Sequence, residues 1–278
     1  MNKFTSILVL ILSVNIYAYS DFDMDGVEDK VDLCPNTPLS ELVDINGCSI
    51  KSLKSPHNFD IILGVNFSQT NYDSLENTDT FTQTLQVDYY YKNFSFQAST
   101  GYYTSESSSY SNSGMNDSFL GLYYKFKPLN ALSLRVGVGA LLPTYDAPLN
   151  NNNTDYTTSL SVSYLLENIN LFGGVGYTLI NDDDKTITYD DGSYSNVKYQ
   201  DTLSYNFGIG FYPTSKLYVS TSYSSVDSIY DGSGTIDSAS LYAFYNISSK
   251  YFASFNYAYG LSDLASDNYL SVRIGYYF

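Results

Sequence analysis

Five aspartates, Asp21, Asp23, Asp25, Asp29 and Asp32, stand at positions 1, 3, 5, 9 and 12 of a calcium-loop spacing. Gly26 falls where such a loop turns sharply, and Val27 where it offers a backbone carbonyl. Carboxylates this close repel one another unless a hard cation neutralises them, so the chemistry indicated is oxygen ligation of Ca²⁺. Position 12 carries Asp32 instead of the bidentate Glu of an EF-hand, and no amphipathic helices flank the loop. The expectation is a single calcium loop with Asp21, Asp23, Asp25, Val27, Asp29 and Asp32 as ligands.

The only two cysteines, Cys34 and Cys48, follow directly. Met1-Asn2-Lys3 and the apolar run Ile7–Leu12 look like a secretory signal, with small residues Ala18 and Ser20 favouring cleavage after Ser20. An exported chain meets oxidising conditions, where a lone thiol pair joins into a disulfide. The stretch DFDMDGVEDKVDLCPNTPLSELVDINGC resembles the thrombospondin type 3 repeat, in the form found in the outer-membrane protein A family. That resemblance implies structural calcium. It does not imply cell-wall binding, because the peptidoglycan-binding α/β domain of that family does not follow. The expected organisation is a signal peptide at 1–20, a calcium module at 21–49, a linker at 50–57 and a larger domain at 58–278.

Catalytic chemistry has little to work with. The chain has one histidine, His57, expected in the approach to the first strand, and nucleophile–base catalysis needs an imidazole beside its nucleophile. No enzyme is expected. The 29 acidic against 13 basic residues, a net charge of −16, supply no basic face for nucleic acid.

The rest of the chain is strand-forming: 31 Tyr and 16 Phe with no Trp suit pleated, half-exposed surfaces. From Asn58 onward, apolar residues alternate with polar ones in twelve segments, beginning at Phe59-Ile61-Leu63-Val65-Phe67 and ending at Leu270-Val272-Ile274-Tyr276-Phe278. Short connections, such as Lys92-Asn93 and Glu167-Asn168, alternate with long ones near 71–79, 105–116, 143–155, 181–197, 226–234 and 261–267. An even strand number with short turns at one end and long loops at the other is the pattern of an outer-membrane barrel. The fold class predicted is all-β: a twelve-stranded antiparallel transmembrane β-barrel with a short N-terminal periplasmic calcium-loop module. Tyr and Phe would form the interfacial girdles. Tyr276 and Phe278 resemble the aromatic C-terminal sorting signal of outer-membrane proteins.

The opposite parity gives the interior, read as mostly small or neutral, with Ser95, Gln97, Gly137, Ser161, Asn206, Ser222 and Asn256 among its members. Its few charges, Asp60, Asp88, Lys125, Arg135 and Arg273, are expected in the half nearer the periplasm, forming an ionic belt that either filters solutes or knits the wall. From Leu132 to Phe278, LRVGVGALLPTYDAP, GVGYTL, SYNFGIGFYP and SVRIGYYF resemble the outer-membrane proteins of the meta-pathway of phenol degradation, although Tyr145 stands where that family has glycine. The resemblance implies passive uptake of small solutes, including hydrophobic or aromatic ones. The competing reading is a structural or adhesive surface protein whose barrel is only an anchor. Expected partners are outer-membrane lipid and lipopolysaccharide, the barrel-assembly machinery and a small solute.

Overall fold

The structure, a computed structural model, describes residues 27, 29, 31–34, 43, 45–46, 48, 57–71, 77–108, 111–145, 153–188 and 194–278. The expected signal peptide and the candidate ligands Asp21, Asp23 and Asp25 lie outside the described residues. The chain divides into two compact units, Met1–Pro56 and His57–Phe278.

The second unit consists of strands β1 (His57–Thr70), β2 (Thr78–Tyr91), β3 (Phe94–Glu106), β4 (Ser111–Met115), β5 (Ser118–Phe126), β6 (Leu132–Leu142), β7 (Asp155–Leu166) and β8 (Ile169–Leu179), continuing through β9 (Lys185–Thr188), β10 (Tyr194–Val197), β11 (Thr202–Thr214), β12 (Leu217–Asp227), β13 (Thr235–Asn246), β14 (Tyr251–Gly260) and β15 (Asn268–Tyr277). Twelve of them pair antiparallel with their neighbours around a closed ring, in which β1 bonds to β2 on one side and β15 on the other. Phe278 finishes the seam, donating its amide to the Phe59 carbonyl at 2.8 Å. Closure leaves the ring without an unpaired edge, so its backbone groups can be satisfied within the wall.

The distribution of apolar side chains identifies what surrounds the ring. Among the described residues the buried hydrophobic set is only Tyr103, Phe252 and Ala265, whereas Leu63 is 62% exposed, Phe207 59% and Ile274 56%. A water-soluble sandwich or ligand-binding barrel would turn those stripes inward. Here they face out, as lipid requires. Aromatic pairs band the outer face near the short turns, including Phe59–Tyr89, Phe94–Tyr124 and Tyr251–Tyr276, with ring centroids 4.8, 4.8 and 4.9 Å apart. Toward the long loops, Tyr205 and Phe207 meet Tyr223. The aliphatic residues between these bands complete a transmembrane wall with two girdles.

The structure departs from the sequence reading in three places. His57 opens β1, opposite Tyr91, where it was expected to precede the first strand. The connection expected over 105–116 is largely strand: β3 runs to Glu106 and β4 continues the ladder from Ser111. Tyr102 pairs with Met115 while Ser99 pairs with Phe119, so Asn116 and Asp117 together face Gly101 in a β-bulge. Outward residues are therefore even-numbered in β5 and odd-numbered in β4. Finally, the segment 181–197 contains its own hairpin, β9–β10, separate from the barrel sheet.

Candidate functional site

The ring encloses a lumen whose two sides differ. Asp60 on β1 stands directly opposite Asp88 on β2, and Lys125 on β5 directly opposite Arg135 on β6. Arg273 lies on β15, next to β1. The five charges thus occupy an arc from β15 to β6 and do not encircle the lumen.

Like charges placed opposite each other repel, and neutral groups separate them. Gln86 donates through Nε2 to Asp88 Oδ2 at 2.8 Å, while its Oε1 accepts from Arg273 Nη1 at 3.4 Å. The Tyr90 hydroxyl donates to Asp88 Oδ2 at 3.5 Å. Arg135 lies over the Tyr123 ring, 3.7 Å from its centroid, a cation–π contact. Gly64, paired with Arg273 on β15 and with Thr84 on β2, keeps the passage between β15 and β2 open: a Cβ there would stand 2.5 Å from Thr84 Oγ1 and 3.0 Å from Arg273 Cγ. Arg273 can consequently reach across β1 to Gln86.

Opposite this arc the wall is built of hydroxyls and rings. Ser222 bonds Ser240 at 2.8 Å and Ser224 bonds Ser238 at 2.9 Å, tying β12 to β13 from inside. The inward aromatics are the part the sequence reading missed. A Cβ at Gly208 would overlap the Phe172 ring, one at Gly210 the Tyr218 ring, and one at Gly275 the Phe252 ring. Each ring therefore lies along the wall over a glycine of a neighbouring strand, the arrangement known as aromatic rescue of glycine. Parity would have found them, since Phe172 sits between Leu171 and Gly173, and Tyr218 between Leu217 and Val219.

Three spaces lie inside the ring at different heights. The first, near the long loops, is about 460 Å³ and lined by Thr70, Thr80, Tyr103, Ser105, Tyr145 and Ser266. The second, also about 460 Å³, lies against the serine-and-ring wall and is edged by Arg273. The third, about 480 Å³, opens near the short turns beside Tyr212, Lys216 and Asn246. The second and third share Tyr218 and Tyr242. At the first, the bulge anchors the segment after β6: Thr144 Oγ1 donates to the Asn116 carbonyl at 2.6 Å, and the Tyr145 amide donates to Asp117 Oδ1 at 3.0 Å. Tyr145 is thereby set against Tyr103, with centroids 5.3 Å apart, at the rim of the lumen.

At the long-loop rim, Asp201 accepts from the Tyr177 hydroxyl at 2.7 Å and the Ile180 amide at 3.0 Å. The Tyr177 bond first, then the Ile180 amide, hold its carboxyl below the usual carboxylate range. His57 stands at the other rim, its Nδ1 2.6 Å from the Tyr89 hydroxyl and its ring against Tyr91. Tyr276 and Phe278 pack ring to ring at 4.6 Å on the outer face.

In the first unit, Cys34 and Cys48 are joined in a disulfide, with Cα atoms 4.9 Å apart. The Leu33 amide donates to the Asn46 carbonyl at 2.9 Å and the Cys34 amide to Asp32 Oδ1 at 2.8 Å. A carboxylate has further lone pairs beyond the one this bond uses. Val27, Asp29 and Asp32 are the described members of the ligand set. Among the described residues, no group of three or more His, Cys, Asp or Glu is gathered to hold a metal.

No protein-family model and no curated protein matches the chain by sequence. Among solved structures, an outer-membrane channel from Pseudomonas putida F1 superposes with a TM-score of 0.65 at 12% identity, covering 80% of this chain and 95% of that one. The β domain of the Bordetella autotransporter BrkA superposes with a TM-score of 0.51 at 8% identity, covering 79% and 98% respectively. What the likeness establishes is the fold, a closed antiparallel β-barrel of the kind that these two outer-membrane proteins share.

Proposed function

We propose that the protein is a passive channel for small solutes in the outer membrane, with its short turns and N-terminal module on the periplasmic side. The observation that carries this reading is the presence of three lumen spaces, lined by hydroxyl, amide and ring groups, near the long loops, against the serine-and-ring wall and near the short turns. An anchor has no use for polar space inside the ring, whereas diffusing solutes need it. Full-length protein refolded into planar bilayers should show discrete single-channel conductance in KCl, and liposomes containing it should swell in small permeant solutes. A barrel that inserts and passes neither ions nor solutes would establish the anchor alternative.

The module is proposed to bind Ca²⁺ through the carboxylates of Asp21, Asp23, Asp25, Asp29 and Asp32 and the Val27 carbonyl. The acidic spacing supports this assignment, as does the disulfide that closes the following loop. Calcium titration of the full-length protein by calorimetry should show one site in roughly the 10⁻⁴–10⁻³ M range typical of extracellular modules. No heat at millimolar calcium removes the assignment. Interactions with lipopolysaccharide, and delivery by the barrel-assembly machinery through Tyr276 and Phe278, belong to the same reading.

A further inference from the structure

We infer that the serine-and-ring wall of the lumen is a subsite for neutral, hydroxyl-rich solutes of the saccharide class. The inference rests on the channel reading and names what that channel selects. The middle space is about 460 Å³, large enough for a small polar organic molecule. Phe172, Tyr218 and Tyr242 line one part of it, with Ser222, Ser240, Ser254 and Asn256 close by. The far ends of the Phe172 and Tyr218 rings reach the places that a Cβ would take at Gly208 and Gly210, so both rings lie along the wall beside the space they line. Tyr218 and Tyr242 meet edge to face at 6.4 Å and Tyr212 adds a third ring 4.8 Å from Tyr218, so the rings form a run toward the short-turn rim.

A saccharide has the complementary chemistry. Its C–H faces lie on aromatic rings, and its hydroxyls both donate to and accept from serine and amide groups, which have both capacities. A purely hydrophobic solute has nothing to offer the hydroxyl and amide groups of this space, whereas a saccharide hydroxyl can add a bond to serines already paired with one another, as Ser222 is with Ser240. Asp60, Asp88, Lys125 and Arg135 do not line this space, and Arg273, the one cation at its edge, gives one N–H to Gln86 at 3.4 Å and has further donors for a solute hydroxyl.

The test uses full-length protein refolded into planar bilayers, with maltotriose as the probe. Maltotriose added at millimolar concentration should interrupt the ionic current reversibly. Tyr242→Ala and Tyr218→Ala should weaken the block roughly three- to tenfold, one stacked ring's contribution. Tyr242→Phe keeps the ring and should retain most of the block, guarding against a variant that merely misfolds. Ionic current that maltotriose leaves unchanged, while toluene interrupts it, overturns the saccharide assignment and leaves the channel intact. Absence of any current overturns the channel reading itself.

Discussion

The two arcs of the lumen solve the same problem by different means. From β15 to β6 the wall carries five ionisable side chains, four of them set opposite one of their own kind, with Gln86, Tyr90 and Tyr123 between or beside them. From β8 to β14 it carries serines that bond one another and rings that settle on glycines. The first arc is held by directional, water-sensitive contacts that tolerate adjustment at a side chain's end. The second is held by shape, where a single methyl group has nowhere to go. The barrel is therefore electrostatically adjustable on one side and sterically fixed on the other.

The sharpest way to break this comparison is to add a methyl group to each arc. Gly208→Ala, on the serine-and-ring arc, should destabilise the barrel by about 1–3 kcal/mol in urea titrations from vesicles, because the Phe172 ring and the Thr221 backbone carbonyl occupy the position of the new Cβ. Combining it with Phe172→Ala should give a non-additive cycle, with a coupling of about 1 kcal/mol. Additivity would mean that ring and glycine are independent. Next in size is a functional change on the charged arc. Arg135→Ser with Arg273→Ser leaves Asp60, Asp88 and Lys125 and should raise the K⁺/Cl⁻ permeability ratio by roughly threefold, less than about 1 kcal/mol, because water and salt screen a lumen charge. An unchanged reversal potential in a salt gradient would assign these arginines to the wall alone.

Gly64→Ala is the counterpart of Gly208→Ala, and its cost should stay under about 1 kcal/mol. The atoms that the new methyl would meet, Thr84 Oγ1 and Arg273 Cγ, belong to side chains that can swing aside. Equal costs at Gly64 and Gly208 would erase the distinction between the arcs. The smallest effect concerns the rim. The Asp201 carboxyl is held below its ordinary value of 3.8 by the Tyr177 hydroxyl and the Ile180 amide, so its contribution is fully present above 3.8 and is lost only as pH falls below that value. Exchange protection of the Ile180 amide should therefore persist from neutral pH to the ordinary carboxylate range and fall below it, and in Asp201→Asn that acid step should vanish.

Most of the wall was legible in the sequence because a strand between lipid and lumen must alternate, and twelve stretches do. The short turns at Lys92-Asn93 and Glu167-Asn168 were equally plain, and Lys92 and Glu167 adopt the positive φ that tight hairpins demand. What escaped was set by other physics. Ser111–Met115 has no apolar stripe, because β4 rises beyond the lipid-facing band, and the bulge beneath it shifts the alternation by one residue. The hairpin of β9 and β10 hides in a polar loop for the same reason. The five lumen charges could be assigned inward by parity, but their gathering on one arc depends on which strands are neighbours around the ring. The rings of Phe172, Tyr218 and Phe252 carried the right parity and were passed over because aromatic residues have two uses in a barrel, as interfacial anchors and as partners for glycine.

The bulge at Asn116 and Asp117 gives the protein a mechanical joint between pore and rim. Below it, strand register fixes the diameter of the barrel, and no residue can be inserted without turning a lipid-facing side chain inward. Above it, the phase has already been reset, so the β3–β4 extension and the segment bearing Tyr145 can lengthen, shorten or change sequence without propagating that change into the membrane. The aperture of the outer rim is thus a separate design variable from the bore, and a pore engineer could rebuild one while leaving the other as it stands.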